Sequence, residues 1–274
     1  MRKVNRNEVP IPSRLQNLTS TNIAHLNDHK KISNSVYGHS DVKYSLQNLY
    51  FDKCYICEKD VSNGSYDVEH YLPKRHFPTL GYTWSNLHKS CEGCNLAKEK
   101  AEFLITDDNG IITDIKLLDP SSHEYCIYDY VRFDIDSKAE LVPDGSEACV
   151  ITKAEQTIKY LNGEVDSNYS KALPYSRSRS ANYFLRFASE ILIPNKARLR
   201  EIKLNIDTYQ APVTGTDLEV DQHICQHLIN ADNEYLSDSA FFSRCTKAQL
   251  FPALKINYQQ MTVIKETMRR ALNL

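Results

Sequence analysis

The chain has 274 residues, with 33 Lys and Arg against 35 Asp and Glu and a formal charge of −2. A generally basic coat is therefore excluded, and any nucleic-acid contact must come from local patches. No run of about 18 apolar residues occurs, which excludes a transmembrane helix and predicts no membrane partner.

There is no repeat and no low-complexity tract, so solenoids and disorder drop out. The first ten residues hold three positive charges (Arg2, Lys3, Arg6) with no apolar stretch behind them. That pattern argues against a secretory signal and for a cytoplasmic protein. The eight cysteines are then expected as thiols rather than disulfides.

In chain order, residues 1–50 read as an N-terminal arm and helix. Pro10 and Pro12 mark an extended, positively charged arm. After Ser40-Asp41, Val42, Leu46 and Leu49 recur at i, i+4, i+7 and predict a helix leading into Cys54. Residues 51–103 form a Cys-rich unit, in which 66–71 and 82–87 read as strands and 92–102 as a short helix. Residues 104–150 mix short β-type runs with turns at Asp108-Asn109-Gly110 and Asp119-Pro120.

Residues 151–274 are helical in pattern. Thr152-Lys-Ala-Glu155 reads as a capping box, Ile158 and Leu161 as its apolar face, and Gly163 as a stop. A longer helix is predicted over 178–193, ended by Pro194, with Ala197, Leu199, Ile202 and Leu204 continuing into a second. Further helices are marked by Asp217, by Ser237-Asp238, and by Leu254, Tyr258, Met261, Ile264, Met268 and Leu272. The fold class is α+β and mostly helical: a small Cys-rich unit with a helical C-terminal region.

Cys54-x-x-Cys57 and Cys91-x-x-Cys94 supply four thiolates, the ligand count of a closed tetrahedral structural Zn²⁺ site. The alternatives are a redox pair or two unrelated surface pairs. The gap of 33 residues between Cys57 and Cys91 requires a folded excursion with its ends held together. That excursion contains Tyr66-Asp67-Val68-Glu69-His70-Tyr71-Leu72-Pro73-Lys74 and Thr83-Trp84-Ser85-Asn86-Leu87. Strand, strand and helix around one metal make a ββα-metal arrangement.

Asp67-Val-Glu69-His70-x-x-Pro73, Asn86-Leu87 and Cys94-Asn95-x-x-Lys98, framed by both cysteine pairs, resemble the HNH endonuclease family. The resemblance covers about a fifth of the chain. It implies a phosphodiester hydrolase in which His70 is the general base and Glu69 and Asn95 hold a catalytic Mg²⁺ or Mn²⁺. Asn86 then orients the histidine or its loop, and the products carry a 5′-phosphate and a 3′-hydroxyl. The residue types suit that chemistry: a neutral imidazole is available near pH 7, and carboxylate and amide oxygens are hard ligands. Asp67 is a second partner or ligand. In a regular strand Glu69 and His70 would point to opposite faces, so the strand has to twist or end there.

Other residues have a bland reading beside the functional one. His88 is a spare ligand or a loop residue. Lys98 is a phosphate contact or a solvated helix lysine, and Lys74 and Arg75 are backbone contacts or a solvated loop. Between 171 and 203 basic residues outnumber acidic ones. Arg179, Tyr183 and Arg186 share a helix face that reads as a nucleic-acid track or a solvated surface, while Phe184, Phe187 and Ile191 read as core. His223 and His227 stand at i, i+4 and form either a second metal pair or the polar flank of a helix.

A narrower resemblance rests on Met1-Arg-Lys-Val-Asn-Arg, on Leu117-Leu-Asp-Pro120 and on Ala154-Glu-Gln-Thr-Ile-Lys-Tyr-Leu-Asn162. These look like the HNH subunits of Septu-type, sometimes retron-linked, anti-phage systems. That resemblance implies an ABC/OLD-like ATPase partner and a defence role. The expected function is a metal-dependent endonuclease, with DNA more favoured than RNA as substrate. The alternatives are a ribonuclease on the same scaffold and a non-catalytic, zinc-stapled binding or adaptor subunit.

Overall fold

The structure is a computed structural model of the whole chain. It describes all residues except 28–31, 63–65, 99–102, 135, 143–146, 191, 208–217, 234–246, 248–249, 252–253, 255 and 273–274. The chain divides into two compact units, one made of Met1–Arg132 with Ala139–Pro174, the other of Phe133–Lys138 with Tyr175–Leu274.

The first unit opens with short helices α1 (Ser13–Gln16), α2 (Ser20–Asn27) and α3 (Asn34–Tyr37), followed by α4 (Ser40–Tyr50). α4 forms where the apolar spacing places it. Val42, Leu46 and Leu49 are buried together, each side chain contributing roughly 1.5–3 kcal/mol by leaving water. Its cap is His39 rather than Ser40, because the His39 ring nitrogen Nδ1 accepts from the Asp41 amide at 3.2 Å. The Asp41 side chain is thereby left to bind the arm, accepting from the Arg14 amide and the Ser13 hydroxyl at 2.9 and 3.0 Å. These bonds hold the Asp41 carboxyl below its ordinary range.

Past α4 comes an antiparallel ribbon of β1 (Asp67–His70) and β2 (Leu87–Ser90), paired from Asp67↔Ser90 to His70↔Leu87. α5 (Glu92–Lys98) follows and packs on β1. The second strand lies later than the sequence reading placed it. Residues Trp84–Asn86 form a 3₁₀ turn, closed by the Asn86 amide donating to the Thr83 carbonyl at 2.9 Å. Local backbone bonding thus outweighs the strand preference of Tyr82, Thr83 and Trp84. α5 is described only to Lys98, and the rest of the predicted helix lies outside the described residues.

Two further ribbons follow: β3 (Leu104–Thr106) with β4 (Ile112–Ile115), and β5 (Val131–Phe133) with β6 (Ala139–Leu141). α6 (Ala148–Leu161) begins four residues before the presumed cap. Thr152 is therefore inside the helix, where its hydroxyl donates to the Ala148 carbonyl at 3.1 Å, and Thr152–Glu155 is no capping box. Of its presumed apolar face, Leu161 is buried and Ile158 is half-buried. The helix stops at Gly163, whose φ of +78° is left-handed.

α7 (Asn168–Glu190) starts ten residues earlier than its apolar pattern suggested and carries Pro174 within its first two turns. α8 (Lys196–Asp207), α9 (Leu218–Ala231) and α10 (Tyr258–Leu272) complete the second unit. Its core gathers Leu192, Leu199, Ile202, Ile224, Cys225, Leu228, Met261, Ile264 and Met268. Arg198 clamps Asp221 across α8 and α9 with two bonds of 2.9 and 2.7 Å. The Ser237-Asp238 and Asp217 signals, and the presumed core residue Ile191, fall outside the described residues, as do the side chains of Phe184 and Phe187.

Candidate metal centre and active site

The three sequence motifs outside the Cys-rich segment converge behind the ribbon. The Val4 amide donates to the Pro120 carbonyl at 2.9 Å. The Leu118 amide donates to the Thr157 hydroxyl at 2.9 Å. Arg6 donates to the Ser121 hydroxyl and to the carbonyls of Trp84 and Leu87, at 2.8, 2.8 and 2.9 Å. The arm is therefore not a free basic tail; its guanidinium joins the 117–122 segment to the start of β2.

His88 is fully buried in β2, neither a ligand nor a loop residue. Arg6 lies 3.1 Å from its Nε2 and Tyr50 2.7 Å from its Nδ1. Because a guanidinium only donates, Nε2 is the acceptor and Nδ1–H donates to Tyr50. Burial, with Arg6 beside it, keeps this ring neutral well below the ordinary histidine range.

The four cysteines of the two pairs meet. Cys54, Cys57, Cys91 and Cys94 are all buried, and their sulfurs lie within 4.8 Å of one another. Cys57 Sγ and Cys91 Sγ are 3.8 Å apart. A tetrahedral ion with Zn–S bonds of about 2.3 Å requires sulfurs about 3.8 Å apart. Burial pushes the Cys57 and Cys94 thiols well above their ordinary range, while the thiols of Cys54, Cys57 and Cys94 pull Cys91 below it. Four thiolates cannot coexist in such a pocket without a cation, so the donor set fits zinc. Among the described residues no other group of three or more His, Cys, Asp or Glu could share an ion. His227 instead donates from Nδ1 to the His223 carbonyl at 3.0 Å, on the flank of α9 away from its Ile224, Cys225 and Leu228 core.

A pocket of about 290 Å³ is lined by Asn34, Tyr37, Asp67, Glu69, His70, Pro73, Lys74, Arg75, Asn95 and Lys98 among others. Glu69 and His70 both line it because β1 ends at His70 and the chain turns there. His70 Nε2 donates to the Gly81 carbonyl at 2.9 Å, which leaves Nδ1 as the unprotonated ring nitrogen. The Tyr37 ring packs on the imidazole at 4.7 Å, edge to face. Burial takes His70 down to about 4 against the opposing pull of the Gly81 bond, with Lys74 and Lys98 adding to the depression.

Asn86 lies outside the pocket and ties the excursion together. Its Oδ1 accepts from the Leu72 amide at 2.7 Å, and its Nδ2 donates to the carbonyls of Leu72 and Leu80 at 3.1 and 3.3 Å. The carbonyl that receives His70 is the next residue along, Gly81.

Asn95, on the first turns of α5, donates from Nδ2 to Asp67 Oδ2 at 2.9 Å. Its Oδ1 is buried with no hydrogen-bond partner. A buried acceptor left over in the pocket that Glu69 also lines, on an amide whose nitrogen is tied to Asp67, fits a small hard cation. Lys98 is not on the surface. It is 1% exposed and bonds the carboxylate of Glu69 and the carbonyls of His70 and Tyr71. It braces the end of β1 from inside and forms part of the pocket wall.

The remaining basic residues divide. Lys74 donates to the Tyr37 hydroxyl at 2.5 Å on the pocket wall, and Arg75 is exposed at its rim. On α7, Arg179 and Arg186 are exposed and share a shallow cleft with Tyr175, Ser178 and Asn182. Tyr175 is 71% exposed on this stripe; the side chain of Tyr183 lies outside the described residues. Sequence reasoning missed Gly81, whose contribution is a main-chain carbonyl, and Tyr37, which comes from an arm helix. It also missed Tyr160 and Tyr169, whose hydroxyls reach the sulfurs. Tyr160 lies within the Ala154–Asn162 motif, where nothing marks it as a partner of the sulfurs, and the others carry no local motif.

No family model matches the chain, and no solved structure does. Over 64 residues the chain is 41% identical to the Septu protein PtuB of Bacillus thuringiensis. The match covers 23% of this chain and 25% of that protein, so it spans about a quarter of the relative's length.

Proposed function

We propose that this chain is a metal-dependent endonuclease of the HNH type, the nuclease component of an anti-phage defence complex. The likeness to a Septu protein supports the defence role. The ATPase partner is part of this proposal and rests on the Septu-type resemblance of the outer motifs.

One observation carries the catalytic reading. A histidine fixed as its Nε2–H tautomer by the Gly81 carbonyl shares a pocket with Glu69 and with an Asn95 oxygen that has no partner. Glu69 and Asn95 would hold Mg²⁺ or Mn²⁺, which supplies charge neutralisation at the phosphate and the leaving oxygen. Nδ1 of His70 takes a proton from the attacking water. The new P–O bond forms as the bond to the 3′-oxygen breaks, and that oxygen takes a proton from solvent water, giving a 5′-phosphate and a 3′-hydroxyl. Asn86 acts at one remove, holding the loop that carries Gly81. Arg75 and Lys74 stand at the pocket mouth, where a phosphate backbone would pass.

The test is cleavage of matched DNA and RNA with Mg²⁺ or Mn²⁺, using the chain purified together with whatever protein is encoded beside it. His70→Ala should lower the rate by on the order of 10²–10⁴-fold with the fold retained. Cleavage of DNA over RNA is the expected preference. A His70→Ala protein that folds, cleaves and defends as well as the parent would leave a binding or adaptor role in place of catalysis.

A further inference from the structure

Two tyrosine hydroxyls reach the cysteine cluster from the helical segment that follows the ribbons. Tyr160, near the end of α6, is buried with its hydroxyl 3.1 Å from Cys94 Sγ. Tyr169, in the first turn of α7, has its hydroxyl 3.1 Å from Cys91 Sγ and 3.4 Å from Cys57 Sγ. The position of Tyr169 is built in from the other side as well. Gly93, inside the second Cys-x-x-Cys turn, faces its ring so closely that a Cβ there would lie 2.3 Å from ring atoms. Any other residue at 93 would have to displace the ring or the turn. The two helices are also joined to each other at this corner, the Ser170 hydroxyl donating to the Tyr160 carbonyl at 2.5 Å.

The chemistry assigns a direction to these contacts. Four thiolates around Zn²⁺ leave a net charge of about −2 in a buried site. Such charge has to be spread by hydrogen bonds, and a phenol O–H is a donor that a thiolate accepts. We infer that Tyr160 and Tyr169 are positioning residues of the metal centre, donating to Cys94 and to the Cys91–Cys57 edge, so that one ion holds α6 and the start of α7 to both cysteine turns. This rests on the reading of Cys54, Cys57, Cys91 and Cys94 as a tetrathiolate site. It makes the centre a clasp among three stretches of the chain rather than a staple for the ribbon alone.

Tyr160→Phe, Tyr169→Phe and the double variant test this in the whole 274-residue chain loaded with Zn²⁺ or Co²⁺. In the Co²⁺ form the thiolate-to-metal charge-transfer band should move to lower energy as each hydroxyl is removed, because an O–H donor stabilises the sulfur electrons. Zinc release to a chromogenic chelator should quicken by about 10- to 100-fold in the double variant. Gly93→Ala should quicken release as Tyr169→Phe does, by pushing the ring away with the hydroxyl still present. Parent protein that shows no thiolate charge-transfer band would overturn the tetrathiolate reading itself. A parent band that neither Phe variant moves, with zinc release unchanged, would overturn the role of the tyrosines and leave the metal site standing.

Discussion

His70 illustrates how one side chain is prepared by its surroundings. Its ring is buried, an edge-on tyrosine fills one side, and a main-chain carbonyl takes the Nε2 proton. Burial lowers its pKa from 6.5 to about 4. Between those two values the unfolded chain binds a proton that the native chain does not. This part of the stability is therefore complete above about pH 6.5 and is lost as pH falls toward 4, to the extent of up to about 3 kcal/mol. His88 shifts in the same direction and adds to the trend. His70→Gln cannot titrate, so its unfolding free energy in urea should fall less steeply between pH 7 and 4.5 than that of the parent. An identical slope would contradict the buried, neutral imidazole. At this scale the meeting of Glu69, His70 and Asn95 in one pocket was legible because a short motif fixes residue types at fixed offsets. The Gly81 carbonyl was not, since every residue has one. Lys98 misled for a related reason: its place on a short helix suggested solvent, but the segment packs that face inward against β1.

The 71–86 excursion shows what a single polar side chain does for an element. Pro73, two 3₁₀ turns and the Asn86 amide make a loop whose shape depends on three bonds to Leu72 and Leu80. Asn86→Ala removes all three and leaves the half-buried Leu72 amide and carbonyl without these bonds, at a cost of about 2–3 kcal/mol in urea unfolding. Cleavage should fall with it, because the carbonyl that orients His70 follows directly after Leu80. Retained stability and full activity would place the loop's integrity elsewhere. Element positions were read well where apolar spacing was dense, as in Val42, Leu46 and Leu49 of α4. They were misread where a local turn overrode propensity, as in Trp84–Asn86, where a polar cap signal lay inside a helix that opens on Ala148-Cys-Val-Ile151, and where a helix began on polar residues. α6 starts before Thr152, and the opening of α7, Asn168-Tyr-Ser-Lys171, carries no clear apolar stripe.

At the scale of the molecule, the candidate metal centre and pocket both lie in the first unit. A sulfur cluster suited to zinc and an oxygen-lined pocket suited to a harder ion lie on the same short ribbon and helix, with α5 contributing Cys94 to one and Asn95 to the other. The N-terminal arm, the 117–122 segment and α6 form the support behind them, joined by Arg6 and Thr157. That support was only partly legible. The sequence offered three loose motifs, but their meeting depends on contacts more than 100 residues apart, such as Arg6 with Ser121. The measurement that bears most directly on the central claim is Mn²⁺ binding by electron paramagnetic resonance in the zinc-loaded protein. One Mn²⁺ per chain is expected, weakened at least about tenfold by Glu69→Ala and by Asn95→Ala, and retained in His70→Ala with the four cysteines still holding zinc. Mn²⁺ binding that is absent from the parent, or indifferent to both Glu69 and Asn95, would contradict a catalytic ion beside the imidazole.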